Sequence, residues 1–100
     1  MKSPGKNIPV DAEGYLLDPA QWDDDIAREI AGELGIELSE DHWRVIEWLR
    51  LQHSLGIEMT IRRVGNSGIV DIKRFYELFP GGPLKNASKI AGLSRPTGCL

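Results

Sequence analysis

A chain of 100 residues holds a single domain and buries little more than about 60% of its unfolded surface, so it has one small core and no room for a second. Apolar residues make up 41% and charged residues 27%, and no apolar run nears the ~20 residues of a membrane helix, which excludes a transmembrane span. The net charge of −3 is unevenly spread: residues 1–60 carry 13 acids and 5 bases (−8), residues 61–100 carry 2 acids and 7 bases (+5), so the C-terminal part offers a basic surface to an anionic group or an acidic partner.

In chain order, residues 1–7 are polar, contain Pro4 and Gly5, and read as disordered. Charge without an apolar stretch behind it makes a secretory leader unexpected here, and the cytoplasm is the expected compartment. Ile8-Pro9-Val10 and Tyr15-Leu16-Leu17 flank Asp11-Ala12-Glu13-Gly14, a spacing that predicts a β-hairpin over 8–17 with Pro9 on an edge strand. Two strands cannot stand alone, so the hairpin is expected to lie on helices.

A helical bundle is predicted over 18–92. Asp18-Pro19 opens its first helix, Asp23 to Asp25 lie near the positive helix end, and Trp22, Ile26, Ile30 and Leu34 recur at fours until Gly35 stops the run. Ser39 caps the second helix, in which Trp43, Ile46, Leu49 and His53 share a face that Val45, Trp48 and Leu55 widen. The two tryptophans read as core, His53 as a boundary residue and His42 as a first-turn surface residue. Thr60 caps a third helix that Gly65-Asn66-Ser67-Gly68 cuts off after Val64. Asp71 caps a fourth, with Ile72, Phe75, Tyr76 and Phe79 on its apolar side, and Pro80-Gly81-Gly82-Pro83 breaks it. Pro83 starts a fifth, with Leu84, Ala87, Ile90 and Ala91 inward, Lys85 and Lys89 outward, and Gly92 as its stop. In 93–100, Pro96 and Gly98 forbid a helix, and the segment reads as a mobile arm reaching about 26 Å. The predicted class is therefore α+β, mostly α.

The chemistry available is narrow. Cys99 is the one cysteine, which excludes an intramolecular disulfide. With His42 and His53 as the only imidazoles, no metal site is expected, and neither a nucleophile elbow nor a phosphate-binding glycine loop is present. Cys99 follows Pro-Thr-Gly in a segment that cannot build a core, and an exposed thiol is a liability unless it is used. An ordinary thiol, with a pKa near about 8.5, is only a few per cent thiolate at neutral pH, and the terminal carboxylate of Leu100 works against ionisation. A persulfide is far more acidic and would suit the cations nearby in sequence, Arg95, Lys89 and Lys85, with Arg62 joining if the arm folds back. A lone terminal sulfur on an arm can visit a donor and then an acceptor.

Glu13-Gly14-Tyr15-Leu16, Glu40-Asp41-His42-Trp43, Tyr76-Glu77-Leu78-Phe79-Pro80-Gly81-Gly82-Pro83, Lys89-Ile90-Ala91-Gly92-Leu93 and Arg95-Pro96-Thr97-Gly98-Cys99 resemble the DsrC/TusE family of sulfur carriers, over a stretch from about residue 7 to the end. The resemblance implies a β-hairpin on a helical bundle with a helix-turn-helix-like element, a C-terminal arm whose penultimate cysteine carries sulfur, and no cofactor. DsrC proper, the sulfite reductase gamma-subunit type, has a second arm cysteine where Ser88 stands here. A two-cysteine mechanism is thereby closed, and the single cysteine is the TusE-like pattern. The partners implied are a TusBCD-like donor complex and a tRNA thiolation enzyme, or a sulfite reductase-like complex. Family members continue the third helix further before their Gly-Asn-Ser, so this chain is shorter there. Two other readings stand beside the carrier: a docking or regulatory paralogue that carries no sulfur, and a DNA-binding helix-turn-helix protein. Overall acidity and the short third helix oppose direct nucleic-acid binding.

Overall fold

The computed structural model describes residues 9–94 in full, together with the backbone of residues 2–3 and 6–7. Among the described residues, α1 (Asp24–Glu33), α2 (Glu40–Ser54), α3 (Ile61–Gly65), α4 (Ile72–Leu78) and α5 (Pro83–Ile90) follow in order. The short helix α5 is the hub. α1, α2 and α4 all pack against it, and α3 packs on α4. Pro83, Leu84, Ala87, Ser88 and Ile90 of α5 are buried, so a helix of eight residues turns more than half its side chains inward. Leu84, Ala87 and Ile90 meet Ile26, Ala27, Ile30 and Ala31 of α1 and Val45, Ile46 and Leu49 of α2 in one apolar cluster.

The fold is helical, not α+β. No hairpin of strands spans 8–17. Ile8 lies outside the described residues, and the rest of the segment is a turn with one isolated bridge, Val10 to Leu16. The reason lies in Asp11 and Pro9. The Asp11 carboxylate accepts the N–H of Glu13 at 2.9 Å and of Tyr15 at 3.0 Å, closing the loop on itself. Pro9 accepts from Leu17 at 3.2 Å but has no N–H to return, so the pairing cannot extend. What strand there is lies upstream, in β1 (Lys2–Ser3) and β2 (Lys6–Asn7), paired antiparallel. The turn still serves the core, because Tyr15 and Leu16 are buried.

The helical start also differs from the sequence expectation. Asp18 and Pro19 do open an element, but it is a 3-10 turn over Pro19–Gln21, with Asp18 accepting the Ala20 N–H at 3.0 Å. The backbone of Trp22 is extended, and Asp23 starts α1 by accepting from Ile26 at 2.9 Å. The break takes Trp22 off the α1 face and swings it toward the end of α5.

Ser39, Thr60 and Asp71 are the N-caps of α2, α3 and α4 as their side-chain chemistry predicts. His42 is not a surface residue. It is 7% exposed, its Nδ1 accepts the Ser39 N–H at 3.0 Å, and its Nε2 lies 2.7 Å from the Leu78 carbonyl. Accepting at Nδ1 requires the neutral Nε2–H tautomer, which then donates to Leu78. The ring also meets Phe79 edge-on at 5.0 Å, and Phe79 meets Phe75 at 5.7 Å. One side chain thus ties the start of α2 to the end of α4. Arg74 adds an exposed ion pair to Asp41 at 3.0 Å between the same helices, a weak contribution in open solvent. His53, Ile72 and Tyr76 turn outward, against the faces their spacing suggested, while Trp43 and Trp48 sit at the core margin.

Replacing His42 by Ala strands the Leu78 carbonyl and the Ser39 N–H and removes the ring contact. The expected cost is about 2–4 kcal/mol, measured as a lowered urea midpoint with an unchanged slope.

Candidate functional site at the end of the last helix

Helix α5 ends in a Schellman motif. The N–H of Gly92 reaches the Lys89 carbonyl at 3.1 Å, and the N–H of Leu93 reaches the Ser88 carbonyl at 3.0 Å. Gly92 takes φ +72°, in the left-handed region, and a Cβ there would overlap the Trp22 side chain. Glycine is therefore required twice over, by the turn and by the tryptophan. Leu93 folds back into the core at 6% exposure, and Ser94 is exposed. The expected arm over 93–100 therefore has a fixed first residue. From Leu93 to Cys99 the chain can span at most roughly 20 Å.

The last carbonyls of α5 would be orphaned by the helix geometry, and two side chains from distant elements take them. Trp22 Nε1 donates to the Ile90 carbonyl at 2.8 Å. Arg50 Nη1 donates to the Ala91 carbonyl at 2.7 Å, and its guanidinium stacks 4.1 Å above the Trp22 ring. A cation at a helix C-terminus is favoured by the backbone dipole as well as by the hydrogen bond. Partial burial pulls Arg50 below the ordinary guanidinium value, leaving it cationic. Trp22, Arg50 and Gly92 together clasp the root of the C-terminal segment.

The described basic residues singled out from sequence stand on two helices, Lys85 and Lys89 on α5 and Arg62 on α3. Lys89 is partly buried, with Nζ 5.1 Å from the Tyr15 ring and its stem beside Gly14. Lys85 is exposed one turn earlier on α5. Arg62 lies on α3 with Arg63, along a groove that Trp48 and Met59 also line. Arg95 and Cys99 lie outside the described residues. Ser88 is 4% exposed, on the inward side of α5, so the residue at this position faces core and not solvent. No metal-binding cluster of His, Cys, Asp or Glu occurs among the described residues, and none of their helices is long and apolar enough to cross a membrane.

Of the clasp residues, the sequence singles out Gly92 as the helix stop, but it merges Trp22 into the α1 repeat and gives Arg50 no role. One signal was available: Arg50 continues the spacing of Trp43 and Ile46 on a face that is otherwise apolar. A cation in that setting needs a buried acceptor.

Two expectations follow. Arg50→Met keeps the apolar stem but leaves the Ala91 carbonyl unpaired; stability should drop by about 1–3 kcal/mol, and the Gly92 and Leu93 amides should exchange faster with solvent. In a Cys99→Ser background, a thiol placed by Ser88→Cys should resist alkylation in the native state and label fully on denaturation. Rapid native labelling would show that α5 opens at this point.

The family profile described as DsrC like protein matches residues 2–100. Sulfurtransferase TusE of Escherichia coli (strain K12) is 38% identical over 104 residues, covering 96% of this chain and 95% of that relative. The Salmonella typhimurium (strain LT2) sulfurtransferase TusE is 39% identical over the same extent, 96% of this chain and 95% of that one. Those 104 aligned positions take up only 96% of a 100-residue chain, so about eight of them have no residue here. Among solved structures, the NMR structure of Allochromatium vinosum DsrC superposes with a TM-score of 0.85 at 34% identity, covering 100% of this chain and 96% of that one. The crystal structure of the oxidised gamma-subunit of dissimilatory sulfite reductase (DsrC) from Archaeoglobus fulgidus gives 0.86 at 33% identity, with coverage of 99% and 97%. A chain of the crystal structure of dissimilatory sulfite reductase I gives 0.81 at 36%, with coverage of 93% and 91%.

Proposed function

The chain belongs to the DsrC family and is a sulfur carrier of the sulfurtransferase kind, and we propose that Cys99 is the atom that carries. The observation behind this assignment is that Cys99 is the chain's sole thiol, six residues beyond an anchored Leu93. The Cys99 thiol gives up its proton, and the thiolate attacks the terminal sulfur of a donor persulfide. A new S–S bond forms on Cys99, the donor's S–S bond breaks, and the donor leaves as a thiolate that takes up a proton. The second transfer repeats the exchange toward an acceptor. The moving sulfur keeps its oxidation level in each exchange, so no external oxidant or reductant is called for.

With Ser88 where a second cysteine would stand, no internal disulfide can expel the sulfur, and release depends on the acceptor's own nucleophile. Lys85, Lys89 and Arg95 are assigned a supporting role, as cations that favour the anionic persulfide. Arg62, which lines a groove beside α3, is assigned the same role where the Cys99 segment folds back toward it. A TusBCD-like complex is the proposed donor and a tRNA thiolation enzyme the proposed acceptor, in line with relatives named sulfurtransferase TusE. A sulfite reductase-type complex is the other acceptor, in line with the DsrC structures. The proposed compartment is the cytoplasm, where a lone thiol stays reduced. A docking relative that carries no sulfur is the less favoured reading, given the sulfurtransferase names of the relatives.

The test is intact mass after incubation with a persulfide donor. A gain of about 32 Da, one sulfur, is expected on the native chain and should vanish on reduction and in Cys99→Ser. A chain that stays unloaded with the thiol intact would remove Cys99 from the relay.

A further inference from the structure

The outer side of α2 presents large apolar side chains to solvent. Leu51 is 55% exposed and Leu55 62% exposed, and Trp48 is only partly buried. At 3.6 residues per turn, positions 48, 51 and 55 share one side of the helix, while Arg50, which holds the Ala91 carbonyl, lies nearly opposite Trp48. Two adjoining grooves, of about 420 and 560 Å³, share Trp48 as a wall. Helix α3 stops at Gly65, so the Asn66–Gly68 loop forms their far bank instead of another helical turn.

The charge of this trough runs against that of the chain. Its lining carries Arg44, Arg62 and Arg63 against Glu47, a balance of +2 in a protein of net −3. Arg44 is already tied to Glu40 at 3.3 Å. Arg62 and Arg63 are exposed and have no ion-pair partner among the described residues. An apolar stripe at spacings of three and four beside uncommitted guanidiniums matches an amphipathic helix with acidic flanks.

We propose that this trough docks an acidic amphipathic helix of a relay partner. The proposal rests on the sulfur-carrier reading, since a carrier must be held while its sulfur is exchanged. Docking here engages the far side of α2 from the Trp22–Arg50 clasp, so a partner grips the body while the root of the Cys99 segment stays uncovered. Rows of phosphates fit the trough less well, because Trp48, Leu51 and Met59 give it an apolar floor.

The probe is a synthetic helical peptide of about 15 residues, with Leu at positions i, i+3 and i+7 and Glu on the flanks. It is titrated into the full-length Cys99→Ser chain and followed by heteronuclear NMR. Saturable shifts are expected at Trp48, Leu51, Leu55, Arg62 and Arg63. A peptide with Lys in place of Glu should bind at least about tenfold more weakly, and Leu51→Glu or Arg63→Glu should each cause a similar loss while the remaining spectrum keeps its native dispersion. No shifts at millimolar peptide, shifts on another face, or equal binding of the Lys peptide would overturn the proposal. So would tighter binding of a single-stranded RNA of similar length. Concentration-dependent dimerisation abolished by Leu51→Glu would do the same, by making a second copy the occupant. Loading of Cys99 by a small persulfide needs no docked protein, so its failure counts against the carrier, and failure of the peptide counts against the docking site alone.

Discussion

The arrangement turns on how the C-terminal end of α5 is held. A helix end leaves carbonyls without partners, and here two of them are taken by Trp22 and Arg50, which come from 68 and 41 residues away in the chain. Each bond closes a long loop, so each joins an early element to the last helix. The guanidinium also rests on the indole, making one unit of the two contacts. Because α5 is the helix on which α1, α2 and α4 converge, fastening its end fastens the core. The same clasp sets the point and direction from which the cysteine-bearing segment departs.

This division suits a relay protein. The sulfur chemistry asks little of the fold: a thiolate, a donor, an acceptor, and a short reach. It does ask that the carrier's body be rigid where the reactive segment begins. Leu93 in the core and Gly92 against Trp22 supply that rigidity, while Ser88 sits on the buried side of α5. Under the proposed role of Cys99, sulfur leaves only by attack from outside, which makes partner recognition as consequential as the thiol itself. The trough over Trp48, on the other side of α2, is the surface proposed for such recognition.

Two of the places where expectation and structure part company share a cause. For the turn at 9–17, alternating apolar residues and a glycine signalled strands, but the Asp11 carboxylate takes the N–H of Tyr15 that a ladder would need. For Trp22, a repeat at fours signalled a helical face, but Asp23 captures the Ile26 N–H and restarts the helix one residue later. In both, a short acidic side chain outcompetes the backbone for its own hydrogen bonds. His42 is a third case: its place in the first turn of α2 suggested solvent, and only the approach of Leu78 and Phe79 turns it into a buried bridge.

Read alone, the amino-acid order determined the caps at Ser39, Thr60 and Asp71, the breaks at Gly65 and at Pro80 to Pro83, the inward face of α5, the family, and the single thiol. These are local or countable properties, decided by side chains within a few positions of the backbone groups they serve. Tertiary structure decided that α5 is the hub, that Trp22 and Arg50 meet at its end, that Leu93 is anchored, and that Arg62 shares a groove with Trp48 and Met59. Such pairings depend on which helices pack together, and that packing is set by the summed fit of a whole core, which no short window of sequence contains.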